Sequence, residues 1–155
     1  SLPRYSFSSA PLSSAHLTRL LEGSPFRECI IPLSVDLAQQ ATEQPESPLD
    51  LSDFDSAADF IERGLGYTVL DNGRMMGVAY SSLVCSQGIE VSVYVEDADR
   101  RQGVATALSS RLLLDCLASN LRPNWDAANP ESVKLATKLG YRFLESYEAY
   151  YHTRG

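Results

Sequence analysis

The segment from Ile89 to Ala118 constrains the fold most, because an alternating strand leads through a glycine turn into a long helix. Every second residue of Ile89–Val95 is apolar, so the other face of this strand carries Glu90, Ser92 and Tyr94. Leu108, Leu112 and Cys116 then predict a helix over Val104–Ala118 by their spacing. The pattern predicts a central strand with one buried and one polar face.

Shorter elements surround this unit. Asn72-Gly73 between two apolar runs predicts a hairpin with strands at 67–70 and 75–85. Further strands are predicted at 4–9, 28–33, 122–127 and 141–151, and helices at 12–21, 36–44, from Asp55 or Ser56 to 63, and 130–139. An antiparallel meander followed by helix, strand, helix and strand predicts one domain over residues 1–155, of the α+β (mixed α/β) class.

The net charge of the chain limits the kinds of partner that it can bind. A net charge of -7 in 155 residues weighs against nucleic-acid binding, which needs a basic face for phosphates. An acidic surface suits a cationic or amine substrate, although it most often reflects solubility alone. Since no apolar run approaches the roughly 18 residues of a membrane span, we expect neither a nucleic-acid nor a membrane partner.

The cysteines and histidines are too scattered for a metal site. Cys29, Cys85 and Cys116 each lie in an apolar context, which predicts small core residues in a reducing compartment. The only histidines are His16 and His152, and no Cys/His cluster exists, so we expect no metal. These features predict a cytoplasmic protein.

The turn Arg100-Arg101-Gln102-Gly103-Val104-Ala105 has the features of an anion site. Helix N-termini carry unpaired N–H groups and partial positive charge. Gly103 would let an anion approach the backbone closely, and the two arginines add positive charge at the mouth. The turn predicts pyrophosphate binding, with a solvated surface loop as the alternative.

A second motif downstream makes the pattern specific. The order strand, RRQGVA, helix, strand and NPESVKLATKLGY resembles the GNAT N-acetyltransferase superfamily. Gly88-Ile89-Glu90 and Trp125-Asp126-Ala127-x-Asn129 resemble its zwittermicin-resistance-like branch. The resemblance covers about residues 55–151. Members of that branch are usually longer at the N-terminus, and this chain starts without Met, so we expect a fragment or a shortened chain.

The resemblance implies a GNAT-like fold and an acetyl-CoA site. A central, mostly antiparallel twisted sheet flanked by helices would have a V-shaped cofactor opening between the strands at 89–95 and 122–127. The pantetheine arm of acetyl-CoA would pair with the strand end, and the pyrophosphate would bind the turn and helix start. The implied cofactor-binding residues are Val93, Tyr94, Val95, Arg100, Arg101, Gln102, Gly103, Val104, Ala105, Thr106, Asn129 and Ser132.

Two carboxylates are candidates for the base that would deprotonate an acceptor amine. Glu90 lies on the polar strand face beside the implied acetyl group and could act directly or through a water. An exposed residue paired with a neighbour is the alternative for Glu90. Asp126 ends the next strand and is the second candidate, with a cap of the helix after Pro130 as its alternative.

The chain departs from the family pattern at the general acid. Many members carry a Tyr where this chain has Ala136. A CoA thiolate is a fair leaving group, with a free-thiol pKa of about 8.5, so an acid is dispensable. Ser132 and Tyr141 are possible substitutes.

Three other features have open interpretations. Trp125 either fills the core or lines the acceptor cleft. Tyr147, Tyr150 and Tyr151 are predicted to pack along the last strand. Residues 36–59 contain seven acidic and no basic residues, and form either a solvated loop with helix caps or a region that attracts a polyamine-like substrate.

These features together predict an acetyl-CoA-dependent N-acetyltransferase that acts on a primary amine of a small molecule. The amine would attack directly, with the carbonyl polarised by backbone N–H groups near Val93–Val95. No cysteine has a histidine partner that would suggest a covalent intermediate. The alternative is a catalytically silent GNAT-fold module that binds CoA or a partner protein. The acceptor and the oligomeric state, including a homodimer, stay open.

Overall fold

The structure is a computed structural model that describes residues 2–149. Its strands are β1 (Leu2–Ser8), β2 (Ile30–Pro32), β3 (Gly66–Asp71), β4 (Arg74–Val84), β5 (Gly88–Val95), β6 (Arg122–Ala127) and β7 (Arg142–Ala149). Its helices are α1 (Ser14–Glu22), α2 (Val35–Glu43), α3 (Ala57–Arg63), α4 (Val104–Ala118) and α5 (Pro130–Leu139), with a 3-10 turn at Asp97–Asp99. Within this range, no helix has both the length and the apolar character that a membrane span requires.

Side-chain caps set where most of the helices begin. In α1, α2, α3 and α5 the N–H of the third helical residue donates to the side chain of the residue before the helix, which is Ser13, Ser34, Ser56 and Asn129 respectively. The cap of α3 is therefore Ser56 and not Asp55. Gly140 ends α5 in the left-handed region, with φ of 107°. The helices predicted from the sequence are confirmed, and α4 and α5 have the predicted bounds.

The seven strands form one sheet in the order β2-β3-β4-β5-β6-β1-β7. Neighbouring strands are antiparallel except for the parallel pair of β5 and β6. The predicted mostly antiparallel sheet is therefore confirmed, and β5 is a central strand.

The parallel pair of β5 and β6 is short. Within residues 2–149 it extends only from Gly88 opposite Arg122 to Glu90 opposite Asn124. A Cβ atom on Gly88 would lie 2.3 Å from the carbonyl oxygen of Arg122, so only glycine permits this close approach. Beyond Glu90 the two strands separate and leave the predicted V-shaped opening.

The two faces of the sheet bury different clusters. Val78 of β4 packs with Phe60 of α3, whereas the next residue, Ala79, packs with Leu108 of α4. Successive residues of a strand point to opposite faces. The helices α2 and α3 therefore cover one face and α4 covers the other. A third cluster joins α1 and α5 to α4 through Leu17, Leu113 and Leu139.

The prediction of three core cysteines is correct only for Cys116, which is buried on α4. Cys29 and Cys85 are exposed. Both lie just outside the strands that were predicted to contain them, because β2 begins at Ile30 and β4 ends at Val84. Among the described residues, no group of three or more His, Cys, Asp or Glu side chains could hold a metal ion.

The last strand differs from its prediction in one side chain. Tyr147 is 42% exposed, because β7 is an edge strand of the sheet. Its hydroxyl donates to Oδ2 of Asp126 at 2.7 Å, so this tyrosine contributes a polar contact and not packing. Tyr150, Tyr151 and His152 lie outside the described residues.

Candidate active site

A cavity of about 660 Å³ fills the opening between β5 and β6. Its lining comes from the second half of β5, the turn before α4, the first turn of α4, the end of β6 and one side of α5. The residues that line it are Val91, Ser92, Val93, Tyr94, Val95, Asp99, Arg100, Arg101, Gly103, Val104, Ala105, Thr106, Trp125, Asp126, Ala128, Asn129, Glu131, Ser132, Leu135 and Lys138. The fold thus brings both sequence motifs to one cavity.

The backbone of β5 presents hydrogen-bonding groups to this cavity. The N–H of Glu96 donates to Met76 of β4, and the carbonyl of Gln87 accepts from Arg122 at the start of β6. Backbone groups of successive strand residues point to alternate sides. Even-numbered residues of β5 therefore face β4, and the backbone groups of Val93 and Val95 face the opening, where β6 has separated.

The N-terminus of α4 is open to the cavity. Its first residue is preceded by Gly103 at φ of 86°, which supplies no capping side chain. The N–H of Ala107 donates to the carbonyl of Gly103, and the N–H groups of the preceding turn have no intrahelical acceptor. No acidic residue occupies that turn. A Cβ atom on Gly103 would meet nothing within 4 Å, so the space beside these N–H groups is accessible to a ligand.

The basic turn is anchored on its N-terminal side. Arg74 forms a salt bridge of 2.6 Å with Asp99, which is buried and directly precedes Arg100. Nε of Arg100 donates to the carbonyl of Val95 at 3.3 Å, and its guanidinium lies 3.1 Å from Asp97. Arg101 is exposed, with φ of 65°. Gln102 is not among the cavity-lining residues in the described chain, and its amide donates to the carbonyl of Ala98.

On the opposite side of the opening, Asn129, Ser132 and Trp125 are linked. Oδ1 of Asn129 accepts from the N–H of Ser132 at 2.8 Å. Nε1 of Trp125 donates to Oγ of Ser132 at 3.2 Å. Trp125 is only 5% exposed, which confirms that it packs in the core, and it also lines this cavity; its place in an acceptor cleft stays a prediction.

The two substitutes for a general acid are placed very differently. Ser132 lines the cavity. Tyr141 is buried in the core, and its hydroxyl donates to the carbonyl of Pro123 at 2.7 Å. Burial raises the pKa of Tyr141 well above its usual value. Tyr141 is therefore wrong as a candidate acid, and Ala136 is fully buried in the same cluster.

The polar face of β5 continues across the sheet onto β6. Glu90 is half-buried and lies opposite Asn124, at the last pair before the strands separate. Burial raises the pKa of the Glu90 carboxyl, and the charge of Asp126 raises it further, while a hydrogen bond from Asn124 opposes both. In the described chain Glu90 lies at the apex of the opening without lining the cavity, whereas Asp126 lines it.

Asp126 is held by residues from both ends of the chain. Nε and Nη2 of Arg4 on β1 donate to its Oδ2 at 3.1 and 3.0 Å, together with the hydroxyl of Tyr147 on β7. The alternative that Asp126 caps α5 is wrong, because Asn129 is the cap. The sequence offered no signal for Arg4, since only the pairing of β1 with β6 brings it to this site.

The acidic segment at 36–59 contacts this same polar face. The hydroxyl of Tyr94 donates to Glu46, and this bond raises the pKa of Tyr94. The N–H of Asp50 donates to the hydroxyl of Tyr80 at 2.9 Å. Asp59 forms a salt bridge with Arg63. The segment therefore lies over the polar face, with only some of its carboxylates paired within the helices.

The fold and this cavity define the GNAT class of acetyltransferases. The profile of the family described as GNAT acetyltransferase matches residues 1–150, and the chain belongs to this family. Over 100 residues it is 27% identical to the uncharacterized N-acetyltransferase YdfB of Bacillus subtilis, a match that covers 63% of this chain and 38% of that protein.

Solved structures share the fold. A GCN5-related N-acetyltransferase-like protein from Streptococcus suis is 30% identical, with a TM-score of 0.84 over 94% of this chain and 59% of that one. The aminoglycoside N-acetyltransferase AAC(6')-Iy in complex with CoA is 18% identical, with a TM-score of 0.61 over 81% of this chain and 99% of that one. The chain thus spans less than two thirds of the length of YdfB and of the S. suis protein.

Proposed function

We propose that this chain is an acetyl-CoA-dependent N-acetyltransferase that acetylates a primary amine of a small molecule by direct attack. The observation that carries the proposal is the opening between β5 and β6, where free strand backbone and an uncapped helix N-terminus line one cavity. Strand backbone suits the amides of a pantetheine arm, and a helix N-terminus suits a pyrophosphate. Acetyl-CoA carries both groups.

The residues around the cavity fit such a ligand. The N–H groups at the start of α4 would receive the pyrophosphate, with charge from Arg100 and Arg101. The backbone groups of Val93 and the N–H of Val95 would pair with the pantetheine amides, because the carbonyl of Val95 accepts from Nε of Arg100. Asn129 and Ser132 would contact the ligand from α5. When bound, acetyl-CoA supplies the activated acetyl thioester.

Glu90 is the base in this proposal. It lies on the polar face of β5, where the strands separate, and its raised pKa moves it toward the neutral range in which a base works best. The carboxylate would take a proton from the acceptor ammonium. The net charge of -7 favours the approach of a cationic acceptor. Similarity to the zwittermicin-resistance-like branch, a cytoplasmic location and a homodimer stay predictions from the sequence.

Binding of CoA can be tested by calorimetry on a matched pair of variants. Gly103→Val places a side chain in the open space beside the α4 N-terminus, at φ of 86°. We expect its Kd for CoA to rise tenfold or more, about 1.4 kcal/mol. Gly73→Val is the control, because Gly73 has φ of 80° and equally open surroundings in the β3–β4 turn. Equal affinity in folded Gly103→Val and wild-type protein would overturn this placement.

Turnover needs a separate assay. Thiol release from acetyl-CoA is measured against a panel of primary amines, with an amine-free reaction as the hydrolysis background. Release above that background, with the acetylated amine found by mass spectrometry, is the expected result. CoA binding without release from any amine would favour the silent CoA-binding module instead, an alternative that the buried Ala136 supports because no hydroxyl comes from that position.

A further inference from the structure

The carboxylates of Glu90 and Asp126 lie on the same face of neighbouring strands. Glu90 is paired with Asn124, and Asp126 is two residues farther along β6. Residues two apart on a strand point to the same face, so Asp126 shares the face of Asn124 and Glu90, and its charge acts on the Glu90 carboxyl. Glu90 and Asp126 are therefore neighbours at the apex of the opening.

The two oxygens of Asp126 have unequal surroundings. Oδ2 accepts three hydrogen bonds, two from Arg4 and one from Tyr147. Oδ1 is buried and has no hydrogen-bond partner among the described residues. A buried carboxylate oxygen without a donor is costly, so a donor that appears during the reaction would be bound favourably there.

We propose that Asp126 is a positioning residue that acts through Glu90: its Oδ1 accepts a hydrogen bond from the Glu90 carboxyl after Glu90 has taken the proton of the acceptor amine. This inference rests on the proposed function. Arg4 and Tyr147 hold Oδ2, which fixes the direction of Oδ1. The two candidate bases of the sequence then form one functional pair.

One proton moves in this step, from the acceptor ammonium to the Glu90 carboxylate. The N–H bond of the acceptor ammonium breaks, and an O–H bond forms on Glu90, which becomes neutral. That O–H donates to Oδ1, so no proton moves onto Asp126. The amine keeps the electron pair with which it attacks, and Glu90 later loses the proton to water.

The charges around Glu90 have opposing effects. Asp126 favours the neutral form of Glu90, whereas the hydrogen bond from Asn124 opposes it, and the guanidinium of Arg4 is paired with Asp126. The hydroxyl of Tyr147 contacts Asp126 from β7, and the charge of Glu90 acts on Tyr141, which follows Gly140 at the end of α5. Farther along β5, Tyr94 carries the carboxylates of Glu46 and Glu96 at its hydroxyl, and β4 contributes the uncharged Ser82 beside Glu90.

Carboxyl titration by ¹³C NMR on the folded protein tests the pair without any turnover. Glu90 is assigned by the resonance that Glu90→Gln removes. In Asp126→Asn we expect the Glu90 midpoint to fall by roughly half a pH unit or more, because a neighbouring negative charge and acceptor are lost. Asp59→Asn, which removes a carboxylate on α3, should leave the midpoint in place. An unchanged or higher midpoint in Asp126→Asn would overturn the proposal.

Arg4→Met should shift the titration midpoint of Glu90 in the opposite direction. It provides a second test of the pair if Asp126→Asn does not fold. Without the guanidinium, Oδ1 becomes a stronger acceptor beside Glu90. We expect the Glu90 midpoint to rise in this variant. A fall or no change would contradict the pair even if Asp126→Asn cannot be prepared.

The pH dependence of kcat/KM distinguishes a failure of the Glu90–Asp126 pair from a failure of the proposed activity. With an amine that gives thiol release, Asp126→Asn should move the acid limb of kcat/KM to lower pH and lower the plateau, while the Kd for CoA stays unchanged. If no amine is acetylated but the titrations behave as expected, the pair stands and the proposed activity fails. If amines are acetylated and the titrations do not move, the activity stands and the pair is wrong.

Discussion

The guanidinium of Arg74 donates to both carboxylate oxygens of Asp99, at 2.6 and 3.1 Å. Arg74 begins β4 beside the hairpin turn, and Asp99 ends the 3-10 turn that leads into Arg100 and Arg101. The β3–β4 hairpin therefore fixes the position of the basic turn through one bidentate pair. The hydrogen bonds from Arg74, together with its charge, lower the pKa of Asp99, so the pair persists in mildly acidic solution.

Loss of this pair should weaken CoA binding, although Arg74 is not among the described residues that line the cavity. In Arg74→Met the turn before α4 loses its anchor, and we expect the Kd for CoA to rise several-fold in calorimetry. Arg63→Met is the matched control, because Arg63 makes a similar two-contact pair with Asp59, on α3 outside the cavity lining. Equal weakening in both variants would show a general loss of stability instead of an anchoring role for Arg74.

Most of the fold was predictable because its signals are local. The helix start at Pro130, the Asn72-Gly73 turn and the alternation of Ile89–Val95 each act within a few residues. The two errors at the cysteines have one physical origin. The strands predicted to contain Cys29 and Cys85 stop one residue short of them, and the ends of strands depend on pairing partners that local pattern does not reveal.

The site was predictable in part for the same reason. The turn at 100–105 and the Asn129 helix start are contiguous motifs, so their residues could be named from the sequence. Arg4 and Tyr147 reach Asp126 only because β1 lies between β6 and β7. The anchor between Arg74 and Asp99 likewise depends on the pairing of β4 with β5. Lys138 reaches the cavity lining through the placement of α5.

The separation of β5 from β6 should be visible in amide exchange. The N–H groups of Ser92 and Tyr94 face β4 and should exchange slowly. The N–H of Val93 faces the opening and should exchange faster in the free protein. Saturation with CoA should slow Val93 selectively in NMR-detected exchange. Equal protection of all three amides in the free protein would contradict the open edge of β5.

The three cysteines should differ in reactivity. Burial raises the pKa of the Cys116 thiol to about 12, so it should stay unreactive toward a disulfide reagent at neutral pH. Cys29 and Cys85 are exposed and should react in the folded protein. We expect two thiols per chain before unfolding and three after it. The double variant Cys29→Ser, Cys85→Ser should show none until it is unfolded, and early reaction there would contradict the burial of Cys116.

Glu90→Gln should slow acetylation in a pH-dependent way. The amide keeps the shape of the side chain and removes the basic oxygen, so we expect a rate loss of about a hundredfold at neutral pH. The Kd for CoA should stay nearly unchanged. The deficit should shrink as the pH rises from 6 to 9, because more of the acceptor amine is then already neutral. A variant that turns over like wild type across this range would show that Glu90 is not the base.

The same variant should be more stable where Glu90 is ionised. In wild-type protein the pKa of Glu90 is raised above the usual 4.5 by folding, so folding is accompanied by proton uptake at this carboxyl. Well below pH 4.5 Glu90 is protonated in both the folded and the unfolded chain, and its burial does not destabilise the fold through charge. The destabilisation by the buried charge grows as the pH rises and is complete above the pKa of Glu90 in the folded protein.

We therefore expect the gain in unfolding free energy of Glu90→Gln over wild type, measured by denaturant titration, to be larger at pH 7 than at pH 4. Ser92→Ala, on the same face and without a titratable group, should differ from wild type equally at both pH values. If Glu90→Gln also shows the same difference at pH 4 and pH 7, the burial cost at Glu90 is absent.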